Sequence, residues 1–227
     1  MSESIARAEV LDCYDITDDV FQGQHSTAFL RFLRNWFVDS GKLTRHELDL
    51  SFLQEMSPDE AQLARALLRR NLPLKYTHII EGLAALRDTD SIPTLREMLA
   101  VETDLSRRLT LAGSLWKLAR DPVFVDCLNA MVESEGGNLK AAHLNQVLWL
   151  DDERAMDLLI VLLGDRDNFV RHLALSMLNM LEFQTTSPNR AFARQPDDYR
   201  KRRNDAAFRA LMVDQLKARN RSNTNGR

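Results

Sequence analysis

The chain is short of cysteine, glycine and proline, and each shortage narrows what it can be. Its two cysteines, Cys13 and Cys127, lie far apart in no metal-like spacing. That excludes a disulfide framework and points to a reducing, cytoplasmic compartment. Eight Gly and six Pro are too few for an all-β chain with many turns, whereas the frequent Leu, Ala, Arg and Glu favour helix. The longest apolar run, Leu158–Leu163, is closed by Asp157 and by Gly164–Asp165, far too short to span a bilayer. The start, MSESIARAEVLDCYD, interrupts its apolar residues with Glu3, Arg7, Glu9 and Asp12, which is not the pattern of a signal peptide. A soluble protein is expected. There is no P-loop and no G-x-G-x-x-G. The histidines (His25, His46, His78, His143 and His172) form no H-E-x-x-H or other metal-binding pair. No cofactor, no metal site and no catalytic set is therefore expected, and the chain does not read as an enzyme.

What is present is apolar residue in quantity. Over 227 residues the chain is 44% hydrophobic, enough for one core burying roughly 70–75% of the unfolded surface. The formal charge of −3 conceals a division. From Phe183 to Arg227 there are 11 Lys and Arg against 4 Asp and Glu, whereas residues 1–182 carry 19 basic and 29 acidic groups. Such a division concerns partners and solubility, not fold.

The N-terminal part, to Met56, shows no repeat. Residues 9–20 set Glu9, Asp12, Asp15, Asp18 and Asp19 among Val10, Leu11, Tyr14, Ile16 and Val20. This reads as a solvated acidic edge around a docking helix, with a surface for a basic partner as the sharper alternative. A helix follows over Thr27–Val38, with Ser26 or Thr27 to start it, Gly41 to end it and Trp36 as a core anchor. GKLTRHE resembles half of a calcium loop, but Trp36 and Val38 would occupy the first ligand positions and cannot bind a hard cation. Thr44–Glu47 reads instead as a capping box. Ser57–Pro58–Asp59–Glu60 gives the same signal, with proline at the first helical position.

From there the chain repeats. Taking Tyr76, Arg108, Lys140 and Arg171 as equivalent, the spacings are 32, 32 and 31 residues. Three residues on lie Ile79, Leu111, His143 and Ala174; four on, Ile80, Ala112, Leu144 and Leu175. Seven on come Leu83, Leu115, Val147 and Leu178; ten on, Leu86, Leu118, Leu150 and Leu181. Nine back are Leu67, Leu99, Met131 and Leu162; thirteen back, Leu63, Leu95, Cys127 and Leu158. Of these 24 positions 23 are apolar, His143 being the exception. A register kept through intervening loops predicts four helical hairpins. Cys127 is then a packing thiol, and His143 a core histidine bonded to a backbone carbonyl.

The last hairpin carries LLxxLLxDxDxxVRxxA in Asp165, Asp167, Val170, Arg171 and Ala174. This resembles the HEAT repeat, specifically the short HEAT-like repeats of bacterial proteins and phycobilin lyases. The other units are looser, with Arg107–Arg108, Lys140 and Tyr76 in place of the Val-Arg pair or its Arg. The resemblance implies an all-α fold: a right-handed α-α superhelix, or HEAT-like solenoid, of about four helical hairpins with N-terminal helices and a C-terminal capping helix. The expected divisions, within one structural domain, are 1–56 (N-terminal helical cap), 57–182 (repeats) and 183–227 (loop, basic helix and tail). In the last part Gln184–Pro196 reads as loop and Asp197–Arg219 as one helix with a stripe of Phe208, Leu211, Met212 and Leu216. Asn220–Arg227 reads as disordered. Arg200–Arg203 are consecutive and spread around that helix, so pairing with the acidic repeats is favoured over nucleic acid or membrane.

Repeats of this kind serve binding proteins and a few enzymes alike. Size, acidity and fold together resemble the immunity proteins that neutralise a cognate toxin. The expectation is a noncatalytic solenoid whose partner is another protein, a toxin in that specialisation. Its contacts would come from outward positions of the second helices and their loops: Arg107, Arg108, Lys140, Asn145, Arg171, His172, Asp165 and Asp167. Arg171 would pair with Asp167 on the surface, so reversing its charge would weaken binding and leave stability nearly unchanged. The alternative is a HEAT-like enzyme, an alkylpurine DNA glycosylase using Trp116 or Trp149 with Glu153, or a bilin lyase. Arg120, four residues after Trp116, and the acidic repeats have the wrong sign for a DNA groove.

Overall fold

Capping and packing, in that order, explain where the helices begin. The computed structural model describes residues 5, 10, 13–21, 23–39, 50–184 and 193–225; the expected helix stop at Gly41, the Thr44–Glu47 box and most of the 184–196 loop lie outside them. Among the described residues every regular element is helical and there is no strand. The chain separates into two compact units, one ending at Phe124 and the other beginning at Val125.

In the first unit, α1 (Thr27–Leu33) starts at Ser26, whose hydroxyl accepts from the Phe29 amide. It continues as a π-helical turn over Arg34–Val38. That wider turn lets neighbouring Trp36 and Phe37 both be buried. Then follow α2 (Pro58–Asn71), α3 (Thr77–Ala85), α4 (Ile92–Val101) and α5 (Leu105–Ala119). The predicted box at Ser57 is formed, and its Glu60 does a second task. Its carboxylate also accepts from the Ser26 amide (2.6 Å) and hydroxyl (2.9 Å), tying the starts of α1 and α2 together. Burial alone would raise the Glu60 pKa; bonds from Ser26 and Ser57 outweigh it and leave the carboxyl below its ordinary value.

α1 is joined to α3 through Trp36, whose Nε1 donates to the His78 carbonyl at 3.0 Å. Gly82 makes room for it: a Cβ there would stand 2.5 Å from that nitrogen. The 13–16 segment lies over the start of α3. Asn71, buried at the end of α2, accepts from the Asp15 amide and donates to its carbonyl, and Tyr14 Oη shares a hydrogen bond with His78 Nε2 at 3.0 Å.

α6 (Val123–Glu133) begins at the end of the first unit and continues in the second. The second unit goes on with α7 (Gly137–His143, prolonged as a 3-10 turn over Leu144–Trp149), α8 (Glu153–Leu162) and α9 (Asn168–Phe183). Helices α2 and α3, α4 and α5, α6 and α7, and α8 and α9 thus fall within the stretches of the four predicted hairpins, and α2 packs on α3, α4 on α5 and α8 on α9. Their 24 register positions are buried, save Leu63, Leu118, Leu158 and Leu175, which are half-buried.

The last helix departs from expectation in two ways. It is two helices, α10 (Pro196–Arg202) and α11 (Ala206–Asn225). Asp205 Oδ1 accepts from the amides of Ala207 (2.9 Å) and Phe208 (3.1 Å), so an acid in mid-stretch starts a new helix. α11 also runs through residues 220–225, which read as disordered from their polarity. Tyr199, Phe208, Met212 and Leu216 are buried, and α11 packs on α8 and α9. The arginines pair with acids of the repeats: Arg209 with Glu153 and Asp157, Arg203 with Asp157 (3.6 Å), and Arg202 and Arg194 with Glu182 (2.5 and 2.8 Å).

Candidate functional site

Three of the residues expected to face a partner are spent inside the fold. Arg108 turns back along its own hairpin and donates to the carbonyls of Leu99 (3.3 Å) and Glu102 (3.0 Å). Arg171, at the same register, donates to the carbonyls of Asp165 (2.7 Å) and Arg166 (2.9 Å) and to Asn168 Oδ1 (3.0 Å). Its partners are thus the ends of a loop, not the Asp167 carboxylate. Asp167 instead caps α9 by accepting from the Phe169 amide, and its other oxygen rests where Gly137 has no side chain. The reason is geometric: the last carbonyls of a helix and those of the turn after it need donors, and a guanidinium in the first turn of the next helix reaches them.

Lys140 is the clearest correction. It is 6% exposed, and its ammonium donates to Asp165 Oδ2 at 2.5 Å. Asp165 Oδ1 accepts the Asp167 amide. Burial would raise the Asp165 pKa, but the Lys140 and Asp167 bonds lower it further and keep the carboxylate charged. Of the expected set, Arg107, Asn145, His172 and the capping Asp167 are exposed. Arg107 stands between Glu102 (3.7 Å) and Asp104 (3.9 Å).

The residues considered for catalysis are likewise engaged. Glu153 is paired with Arg209. Trp149 is half-buried, and Trp116 lies 5.6 Å from the Phe124 ring with the Arg120 guanidinium over its face at 5.1 Å. His143 is buried, with Gln146 Nε2 3.0 Å from its Nδ1, a side-chain contact where the sequence suggested a backbone carbonyl. Cys127 is buried, as expected for a packing thiol. Among the described residues no three His, Cys, Asp or Glu side chains are grouped to hold a metal, and no helix is long and apolar enough to cross a membrane.

Two features that sequence reading missed remain open to solvent. The first is a set of apolar side chains at the hairpin turns. In the first unit Leu74 is 37% exposed and Val101 73%; in the second, Phe169 is 59% exposed. Leu74 and Phe169 each stand two places before the equivalent Tyr76 and Arg171, so they hold the same position in their hairpins. The second feature is a hollow of about 290 Å³ in the first unit. One wall is the end of α2 and the turn after it, Arg69, Leu72, Pro73 and Lys75; the other is Ser91, just before α4, with Thr94 and Met98 one turn apart on α4. Both walls belong to first helices, whereas the second helices were expected to supply the contact surface. The signal was present in Leu-Pro-Leu-Lys-Tyr at 72–76: apolar residues at a turn that a solvated loop does not need.

No protein-family model, curated protein or solved structure matches this chain.

Proposed function

We propose that this chain is a noncatalytic protein-binding α-solenoid, a right-handed HEAT-like superhelix that works in the cytoplasm. In its most specific form it is an immunity protein that neutralises a cognate toxin by direct binding. The observation that carries this reading is the recurrence of an exposed apolar residue, Leu74 and Phe169, at one position of two hairpins. Scattered surface leucines need no explanation. A phenylalanine left more than half exposed forgoes much of the roughly 1.5–3 kcal/mol that its burial would contribute, and a partner recovers it. Aromatic anchors of this kind dominate interface energetics. The exposed Arg107, Asn145 and His172 supply the mixed polar surround. Fold resemblance alone supports the enzyme alternative, a glycosylase or bilin lyase.

Co-expression with candidate toxins from neighbouring genes tests the reading. The wild-type chain should restore growth and copurify as a tight complex. Phe169→Glu with Leu74→Glu should lose both while keeping helix content and melting temperature. Complex formation should also slow as salt rises. An unaltered complex in the double variant would overturn the reading. So would excision of bases from alkylated DNA that is abolished by Glu153→Gln.

A further inference from the structure

We propose that the hollow between α2 and α4 is a binding site for a small monocarboxylate with an apolar body, of the size of an aromatic acid. This is independent of the protein-binding reading. The volume, about 290 Å³, is roughly twice that of a cavity that takes up benzene and lies at the lower end for small-molecule sites. Leu72, Pro73 and Met98 make the lining mainly apolar, so it favours a ring or branched chain over a sugar or a nucleotide.

The charge on the walls is of one sign. Arg69 and Lys75 line the hollow and no acidic side chain does. Arg69 is held from behind: its Nη1 meets Asp90 at 2.8 Å and buried Asp88 at 3.4 Å. Both contacts use the same nitrogen, so Nε and Nη2 have no partner among the described residues. That free edge is the side of a guanidinium that receives a carboxylate in two parallel bonds. The Lys75 ammonium makes no hydrogen bond or close ion pair among the described residues, and its charge reaches Glu102 only at longer range. Thr94 adds a hydroxyl on the facing wall. A fixed fork, an exposed ammonium and an apolar floor together select one anionic group on a hydrophobic body.

Asp88 is the positioning residue. It is 3% exposed, and its Oδ2 is buried without a hydrogen-bond partner among the described residues. Its role is to hold Arg69 in place; it does not itself meet the ligand. Ser91, on the opposite wall, donates its hydroxyl to the Asp88 carbonyl, so the same residue braces both walls.

The test uses indole-3-acetate, with indole-3-acetamide as its uncharged twin and acetate as the charge without the body. Binding is read from the methyl resonance of Met98 and by calorimetry on the full chain. Indole-3-acetate should shift the Met98 methyl saturably and bind about tenfold or more tighter than the amide, as a charge-assisted bond implies. Acetate should leave the methyl unmoved. Lys75→Gln should reduce the preference for acid over amide, and Thr94→Trp, at an exposed position, should fill the hollow and abolish the shift. Three results would overturn the proposal: no Met98 shift with either indole compound, equal affinity for acid and amide, or undiminished binding in Thr94→Trp. The acid–amide comparison needs no variant, so it stands even if a substitution fails to fold.

Discussion

His78 shows how one residue is set by three neighbours at once. Its carbonyl accepts from Trp36 of the π-helical turn, its Nε2 is bonded to Tyr14, and the Tyr76 ring stacks on it at 5.6 Å. Burial pushes its pKa down from 6.5 to about 4. The folded chain therefore holds the imidazole neutral where the unfolded chain protonates it. Stability from this group is complete above about pH 6.5 and is lost as pH falls toward 4. The carboxylates of Glu60, Asp165 and Glu182 are held below their ordinary values, so they contribute to acid sensitivity only at lower pH. Urea unfolding at pH 7 and pH 5 should show the wild-type chain weakening across that interval and His78→Gln weakening less. Buried Asp88, whose pKa burial raises, works in the opposite sense and cancels in the comparison. Equal pH slopes in the two chains would refute the assignment.

At the scale of the element, the hairpin turns are stitched by the guanidinium groups that sequence reading assigned to the surface. Arg108 and Arg171 hold the carbonyls of the preceding turn. A charged donor to a carbonyl contributes more than an exposed ion pair does, on the order of 1.5–3 against 0–1 kcal/mol. Arg171→Glu should therefore lower stability by about 1–3 kcal/mol, contrary to the expectation from an Arg171–Asp167 surface pair. Arg107→Glu, whose side chain is 53% exposed, should hardly move it. Thermal melts of the two variants side by side decide this, and equal midpoints would count against the stitching role. Turn ends are also unusual in their residues. Arg87, Arg120 and Gln184 follow α3, α5 and α9 with positive φ, at 53°, 54° and 50°, where glycine is the common choice. For Arg120 the cation over Trp116 offsets part of that strain.

At the scale of the whole chain, the tail balances the charge division found in the sequence. Arg203 and Arg209 lie on Glu153 and Asp157 of α8, and Arg194 and Arg202 on Glu182 of α9, while Phe208, Met212 and Leu216 cover the apolar face of the last hairpin. Removing residues 196–227 should expose that face, raise dye binding by hydrophobic surface and cause association in gel filtration. A truncated chain that stays monomeric and equally stable, yet loses binding to DNA or anionic vesicles, would show that the arginines serve a ligand instead.

The helical class, the apolar register along the helices and most of the helix starts were legible from residue order alone. They depend on contacts within a turn or two: apolar spacing at 3–4 residues, a Ser or Asp hydroxyl or carboxylate on a nearby amide, a proline at the first helical position. The break at Asp205 was legible in principle by the same rule, an acid able to cap a new helix, but no glycine or proline marks it. Nothing local could tell whether Lys140 or Arg171 points outward, because both destinations suit a long cation on a helix. Lys140 is committed by Asp165, 25 residues away, and the free edge of Arg69 by Asp88 and Asp90, about 20 residues away. The hollow likewise exists only where two first helices meet, and a cavity is a property of packed pairs that no single stretch encodes.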